Sequence, residues 1–325
     1  MTNDAAARDG NGRTRIRTLV LMGGPDAERD VSLMSGEQVA AALRDAGDIE
    51  TISMVVDRPT AEELVDHRPD VVFPVLHGPY GEGGPMQEML ETLARTRGIG
   101  YVGCRPRAAA LAMDKVLTKA IVSDAGVPTP RSRELRPDEP CDLEPPVVIK
   151  PANEGSSVGL TICRTRDEID RAHRDLVAKG RRVLAETYIQ GRELTVGIVN
   201  GETLPVIEII PAVEFYDYQA KYHREDTRYV LDPVLPPGLT DAVCRHTRTV
   251  WERLGCRDIA RADFMLDERG AVPSVWFLEI NTMPGMTTHS LVPMAARHRG
   301  LSMTDLCAGL VRTAFARQRL AAAAR

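Results

Sequence analysis

The stretch FLEINTMPGMTTHS, residues 277–290, decides how this chain is read. An apolar run, VWFL, ends in Glu279 and Asn281 and then breaks into Pro284-Gly285. A strand that only fills a core has no use for a carboxylate and a carboxamide two residues apart, because a buried Glu must be paired or must ligate a metal. Upstream, RADFML (261–266) places Arg261, Asp263 and Met265 on one face by alternation, and LEIN (278–281) does the same for Glu279 and Asn281. Gly270 and Pro273 lie between, so the two strands can close as an antiparallel hairpin. With Asp263 opposite Glu279, the three oxygen-bearing side chains Asp263, Glu279 and Asn281 converge. Two carboxylates and an amide are hard donors suited to Mg²⁺, which commonly bridges carboxylates to substrate phosphates. Arg261 beside them would clamp a developing phosphoryl or oxyanion charge. A surface hairpin with solvated charges is the bland alternative, and it leaves the shared polar face unexplained.

Working outward, the 325 residues are 43% hydrophobic, enough for two or three domains with cores of their own. The 41 Lys and Arg against 46 Asp and Glu give a net charge of −5, which offers no general attraction to nucleic acid or an anionic membrane. Aromatic residues at 4% are too scarce for base-stacking platforms. No apolar run approaches the roughly 20 residues of a membrane span. The opening MTNDAAARDGNGRT is polar and reads as a disordered tail, not a signal peptide. Cysteines 104, 141, 163, 244, 256 and 307 form no CxxC pair, which points to a reducing, cytoplasmic setting.

Periodicity divides the chain. Strands at 16–22, 51–56 and 71–76 alternate with helices at 32–47 and 85–98, which predicts a parallel α/β sheet. A third helix runs from about 107 to 124. Beyond Gly126-Val127-Pro128, strands at 146–150, 159–163, 182–186, 193–200 and 203–210 are joined mostly by short turns, with one helix in DEIDRAHRDLVAKG, and predict antiparallel α+β structure. Residues 211–238 hold four prolines without periodicity and read as a long functional loop. A helix (240–254), strands (258–266 and 274–281) and a last helix (303–322) complete the pattern.

Three glycine-rich stretches compete for a ligand. GIGYVG (98–103) matches the dinucleotide fingerprint but follows a helix and leads into a strand, the reverse of the order that fingerprint requires, so it reads as a turn. GGPDAERDVS (23–32) follows a strand and opens a helix; its amides could hold an anion, or it is an ordinary turn capped by Ser32. KPANEGSSVG (150–159) lies between two strands, so it is no nucleotide loop of the usual helix-opening kind, yet a glycine-rich hairpin can lie over phosphates with Lys150 supplying charge.

Taken together and in this order, GGPDAERDVSLMSG, VLHGPYGEGGPMQ, ALAMDK, VIKPANEGSSVG, ETYIQGRELTVG, EFYDYQAKY, ARADFML and LEINTMPGMTTHSLVPMAA resemble the D-alanine–D-alanine ligases of the ATP-grasp superfamily, from residue 20 to about 300. The resemblance implies an ATP-grasp fold with an N-terminal Rossmann-like α/β domain. The tail (1–14) would be followed by that domain (15–104), a central subdomain (105–188) and a C-terminal subdomain (189–325). It implies a cytoplasmic homodimer that makes D-alanyl-D-alanine for the cell wall from D-alanine and ATP. It further implies that Lys115 and Lys150 contact phosphates, that Glu186, Thr187 and Ile189 hold adenine, that Glu193 holds the ribose, and that Lys221 lies near the transferred phosphate. Asp263, Glu279 and Asn281 would bind two Mg²⁺ (or Mn²⁺). Glu28 would take the first D-alanine's ammonium with Ser156 and Tyr222, and His77 would sit nearby. Arg261 and the Gly285 amide would form the oxyanion site, and Ser290 with the Leu291 amide would hold the second carboxylate. The chain departs from the family pattern at Gly83 and Pro85, where GEGGP replaces GEDGT, at Thr187, where a longer polar residue is frequent, and in a longer 267–274 turn. Sister enzymes joining D-alanine to D-serine or D-lactate, ATP-grasp ligases for other amino acids and a non-catalytic nucleotide-binding regulator are the rival readings. Lactate-preferring relatives lack the tyrosine present here as Tyr222, and all four of Asp263, Glu279, Asn281 and Arg261 are retained, against a regulator.

Overall fold

A computed structural model describes residues 15–155, 159–211 and 227–324. The chain opens with β1 (Ile16–Gly23), α1 (Arg29–Arg44), β2 (Ile49–Val56), α2 (Ala61–Asp66), β3 (Val71–Pro74), α3 (Gly78–Gly81), α4 (Pro85–Arg97) and β4 (Gly100–Tyr101). Its four strands form a sheet in the order β2-β1-β3-β4, and every pairing is parallel. Such a sheet must be covered on both faces, and β1 shows this directly. Val20 and Met22 pack with Val39 and Leu43 of α1, while Leu19 and Leu21 pack on the other face with Leu64 and Leu90. GIGYVG is the expected turn: Gly98 takes a left-handed φ of 72° at the end of α4, and Tyr101 pairs with Val72.

Next come α5 (Pro106–Met113) and α6 (Lys115–Asp124). The single helix expected over 107–124 is therefore two. Asp114 ends the first and caps the second, its Oδ1 accepting the Val116 and Leu117 N–H groups at 3.0 and 3.1 Å. A residue that satisfies two orphan donors of a new helix stabilises a break there.

Strands β5 (Ser132–Leu135), β6 (Val147–Pro151), β7 (Thr161–Cys163) and β8 (Val183–Thr187), with helix α7 (Arg166–Ala178), form a second sheet in the order β5-β8-β6-β7, entirely antiparallel. Ile169 and Leu176 of α7 close one face against Val147, Ile149 and Val183. The third sheet holds β9 (Arg192–Val199), β10 (Glu202–Ile210), β11 (Arg228–Leu231), β12 (Ile259–Asp267) and β13 (Ser274–Asn281), in the order β11-β10-β9-β12-β13. It too is antiparallel. Helix α8 (Leu239–Leu254), together with α5 and α6, covers one of its faces. Helices α9 (Leu291–His298) and α10 (Met303–Ala323) return the chain to the first sheet, where Leu310 and Val311 join the core of Val39 and Leu43.

Beyond the split helix, three expectations differ from the structure. The 211–238 segment contains β11, an edge strand whose half-exposed residues carry no hydrophobic alternation to announce it. Helix α1 begins at Arg29, so Ser32 lies inside it and not at its cap. The Ser32 hydroxyl instead accepts the Gly23 N–H at 2.8 Å and donates to the Val75 carbonyl, joining β1 to the end of β3. Helices α2, α3 and α9 and strand β5 went unpredicted, all of them short. No helix among the described residues is long and apolar enough to cross a membrane.

Candidate active site

The hairpin β12–β13 closes in the register its alternation called for, with Asp263 opposite Glu279 and Arg261 opposite Asn281. One feature was not visible in the sequence. Phe264 pairs with Phe277 while Asp263 pairs with Glu279, so Leu278 is an extra residue, a β-bulge. A bulge re-aims side chains on its strand, and here Leu278 and Glu279 both line the same cleft, along with Asp263 and Met265. Phe264 and Phe277 meet edge to face behind them, centroids 5.7 Å apart, and fix the hairpin to the core.

The polar face is tied by cations. Arg261 donates to both oxygens of Asp263, Nε to Oδ1 at 2.9 Å and Nη2 to Oδ2 at 2.8 Å. The Thr195 hydroxyl donates to Asp263 Oδ1 at 2.6 Å, and Asn281 Nδ2 to Oδ2 at 3.3 Å. Lys115 Nζ lies 3.2 Å from Glu279 Oε2. Among the described residues no three His, Cys, Asp or Glu side chains converge on one point; the donor set is two carboxylates and an amide. With two positively charged groups already drawn to it, that set fits a hard divalent cation shared with phosphate oxygens.

The cleft itself has a volume of about 290 Å³ between the second and third sheets. Lys115, Lys150, Glu186, Thr187, Ile189 and Glu193, all singled out for a nucleotide, line it together, with Val148, Ile162, Met265, Leu278 and Ile210 as apolar walls. Glu186 is buried on β8 between two ammonium groups, Lys150 Nζ at 3.0 Å and Lys119 Nζ at 2.5 Å. Burial pushes its carboxyl up, but the two lysines outweigh burial and hold it below the usual carboxylate range. Lys119, one turn after Lys115 on α6, was not singled out from sequence. Only the spacing of two lysines four apart in DKVLTK could have flagged it, and that spacing is common on exposed helices.

A second group of residues collects at the ends of β1 and β3. Glu28, buried where α1 begins, faces His77 and Glu82 electrostatically. The backbone of Gly155 passes so close that a Cβ there would lie 3.2 Å from Glu28 Oε2. His77 is buried and donates Nδ1–H to the Met283 carbonyl at 3.0 Å, since a carbonyl can only accept. Burial pushes its pKa down from the ordinary value, against the pull of Glu28. Glu82, also missed, accepts the Gly78 and Met283 N–H groups at 3.2 and 3.1 Å, and burial followed by the Glu28 charge pushes its carboxyl up to about 8. Its signal was a lone Glu between glycines in HGPYGEGG.

Gly285 and Ser290 sit together at the end of the hairpin: a Cβ on Gly285 would lie 2.9 Å from Ser290 Oγ. Ser290 is the N-cap residue of α9, and Leu291 is that helix's first residue. Arg261, paired with Asp263, also acts electrostatically on His77 and Glu82. A small cavity of about 20 Å³ is lined by residues of both groups, Glu82 and Gly155 with Lys115 and Glu279. Ser156, Lys221 and Tyr222 lie outside the described residues.

Residues 129–312 match the family model described as D-ala D-ala ligase C-terminus. The chain is 41% identical over 298 residues to a D-alanine–D-alanine ligase B of Chromobacterium violaceum, covering 90% of this chain and 95% of that one. Among solved structures it is similar to a D-alanine–D-alanine ligase from Bacillus anthracis complexed with ATP, with TM-score 0.79, 32% identity, and 94% and 98% of the two chains covered. It is also similar to the VanG D-Ala:D-Ser ligase from Enterococcus faecalis, with TM-score 0.76, 26% identity, and 91% and 98% covered.

Proposed function

The chain belongs to the D-alanine–D-alanine ligase family of ATP-grasp fold, and from that premise we propose that it joins two D-alanines into D-alanyl-D-alanine for peptidoglycan precursors, releasing ADP and phosphate. The observation that carries this reading is one arrangement. Asp263 and Glu279 line a cleft that Lys115 and Lys150 also line, Arg261 and Asn281 hydrogen-bond to Asp263, and a small cavity shared by Lys115 and Glu279 reaches Gly155, which lies against buried Glu28.

In this reading ATP lies in the cleft, with adenine at Glu186, Thr187 and Ile189, ribose at Glu193, and phosphates at Lys115, Lys150 and Lys221. Asp263, Glu279 and Asn281 hold two Mg²⁺, for which Mn²⁺ can substitute. When bound, these ions neutralise charge on the transferring phosphoryl group. Glu28 receives the ammonium of the first D-alanine, with Ser156 and Tyr222 completing that contact and neutral His77 alongside. The first carboxylate attacks the terminal phosphorus of ATP, the bond to the bridging oxygen breaks and ADP departs, and the resulting acyl phosphate gives the carboxyl carbon a good leaving group. Ser290 and the Leu291 N–H, at the positive end of α9, hold the second carboxylate while its amine attacks. Arg261 and the Gly285 N–H steady the oxyanion until phosphate departs. Gly155 approaches Glu28 closely, and excluding water from this end of the cleft would protect the acyl phosphate.

We further read the chain as units 15–104, 105–188 and 189–325 forming a cytoplasmic homodimer, which sedimentation and limited proteolysis would check. The decisive assay is phosphate release with MgATP and D-alanine, followed by mass spectrometry of the product. ADP and D-alanyl-D-alanine, with L-alanine silent, establish the reading. A mixed product with D-serine or D-lactate places the chain with the sister ligases, and turnover only with other amino acids discards the substrate.

A further inference from the structure

Lys119 has no part in the reaction as written, yet its placement is costly. Its side chain is buried, it does not line the cleft, and burying an ammonium is unfavourable unless it is paired. Its Nζ contacts Glu186 Oε2 at 2.5 Å and Thr129 Oγ1 at 2.5 Å, and Thr129 in turn donates to the Phe277 carbonyl at 2.9 Å. Glu186 is also held by Lys150 from the cleft side. One carboxylate thus lies between two lysines, while Lys115, the remaining ammonium near Lys119, is engaged by Glu279.

The excess cation becomes intelligible once the two lysines are given different duties. Lys150 reaches into the cleft, and on the proposed reading it turns to the nucleotide phosphates. It cannot then also neutralise Glu186. Without Lys119, Glu186 would become a solitary buried carboxylate and would take up a proton, presenting a hydroxyl donor as well as acceptors. We propose that Lys119 is a positioning residue of the nucleotide site: it keeps Glu186 ionised and fixed after Lys150 leaves, so that Glu186 meets the base solely as an acceptor. A fixed acceptor favours a purine with an amino group at C6 and disfavours one with a carbonyl there, because two buried acceptors would face each other. Lys119 is thereby a determinant of the preference for ATP over GTP. This inference rests on the reading that Glu186 contacts the base and Lys150 the phosphates.

A pH dependence belongs to the same arrangement. Burial, with Lys150 and Lys115 adding to it and Glu186 opposing, pushes Lys119 down to about 8. Nucleotide affinity should therefore fall as pH rises through about 8, where Lys119 gives up its proton.

The test compares wild type, Lys119→Met, Lys119→Arg, Glu186→Gln and the Lys119→Met/Glu186→Gln double variant, measuring KM and kcat/KM for ATP and GTP from pH 6.5 to about 9. Lys119→Met should raise KM for ATP about 10- to 100-fold and lower the ATP:GTP ratio of kcat/KM by a similar factor, the range for losing a hydrogen bond to a charged group. It should also abolish the alkaline inflection. Lys119→Arg, which keeps the charge, should recover part of the ratio. Adding Lys119→Met to Glu186→Gln should change nothing further, because Lys119 acts only through Glu186. The double variant leaves neither charge buried opposite a vacant partner, so this comparison holds even where Lys119→Met alone folds poorly. An unchanged ratio in Lys119→Met beside a changed one in Glu186→Gln overturns the role of Lys119, as does an additive double variant. A ratio unmoved by Glu186→Gln overturns the base-contact reading itself.

Discussion

Arg261 and Asp263, two residues apart on β12, form a two-point ion pair, Nε to Oδ1 at 2.9 Å and Nη2 to Oδ2 at 2.8 Å. The pair holds a planar guanidinium within electrostatic reach of His77 and Glu82, and the proposed reaction assigns its oxyanion to this arginine. Loss of one preorganised donor to such an oxyanion costs roughly 10²–10³ in rate. Arg261→Ala should therefore lower kcat by about that factor in a phosphate-release assay. Arg261→Lys should recover little of it, because an ammonium cannot reproduce the two-point contact. Near-normal turnover in Arg261→Ala would sink the assignment.

Gly191 precedes β9 and lines the cleft. A Cβ there would lie 1.9 Å from the Leu266 carbonyl oxygen, which belongs to the β12 backbone and cannot rotate away. Gly191→Ala must therefore push β9 and β12 apart where Leu266 pairs with Arg192. Overpacking of this kind costs about 1–3 kcal/mol or more. We expect a clear drop in thermal midpoint, with weakened nucleotide binding that nucleotide saturation does not fully repair. A midpoint within a degree of wild type would show that the strands yield without cost.

Much of this was legible in the chain because the governing signals are local. Alternation in RADFML and LEIN placed Asp263 opposite Glu279 without any knowledge of the rest of the fold, since side-chain period and register are coupled in a hairpin. What escaped depends on distant partners. The bulge at Leu278 exists only once the strand ladder closes, and nothing in VWFL marks it. Lys119 and Glu82 look like ordinary charged residues until helix packing buries them beside Glu186 and Glu28. Asp114 broke a helix that periodicity made continuous, because capping two amides outweighed the propensity of the flanking residues. Strand β11 gains its pairing from β10, not from its own pattern.

His77 gives a pH signature with a definite sign. Burial, assisted by Arg261 and opposed by Glu28 and the Met283 carbonyl, holds its folded pKa below the ordinary 6.5. Above pH 6.5 the imidazole is neutral in both folded and unfolded chains. As pH falls below that value the unfolded chain takes up the proton first, so stability is lost toward the lower folded pKa. Asn at position 77 retains an N–H placed like Nδ1 for the Met283 carbonyl and does not titrate. His77→Asn should therefore show a flatter thermal midpoint between pH 6.5 and about 5 than wild type. Equal slopes in the two proteins would assign the acid sensitivity elsewhere.

The closest test of the second-substrate site is Gly285→Ala. The added Cβ would fall 2.9 Å from Ser290 Oγ and 3.6 Å from its Cβ, so the hydroxyl must rotate. In its present rotamer Ser290 Oγ accepts the Thr287 N–H at 3.0 Å and meets the Thr287 hydroxyl at 2.9 Å. These contacts fix it at the start of α9, beside the Leu291 N–H. Because the obstruction is the mobile end of a side chain, the fold should survive with less than about 1 kcal/mol of change, the scale of an ordinary surface substitution. The functional cost should be selective. A displaced Ser290 hydroxyl withdraws one donor from the carboxylate of the second D-alanine, so KM for that substrate should rise about 10-fold, the scale of one hydrogen bond to a charged group. KM for ATP, governed by the cleft around Glu186, should hold within about twofold. Ser290→Ala should reproduce the same split without the steric change, and the two substitutions together should not add, since both remove one contact. Should Gly285→Ala instead raise KM for ATP and D-alanine alike, the hairpin end would be setting the shape of the whole cleft, and Ser290 would lose its claim on the second carboxylate.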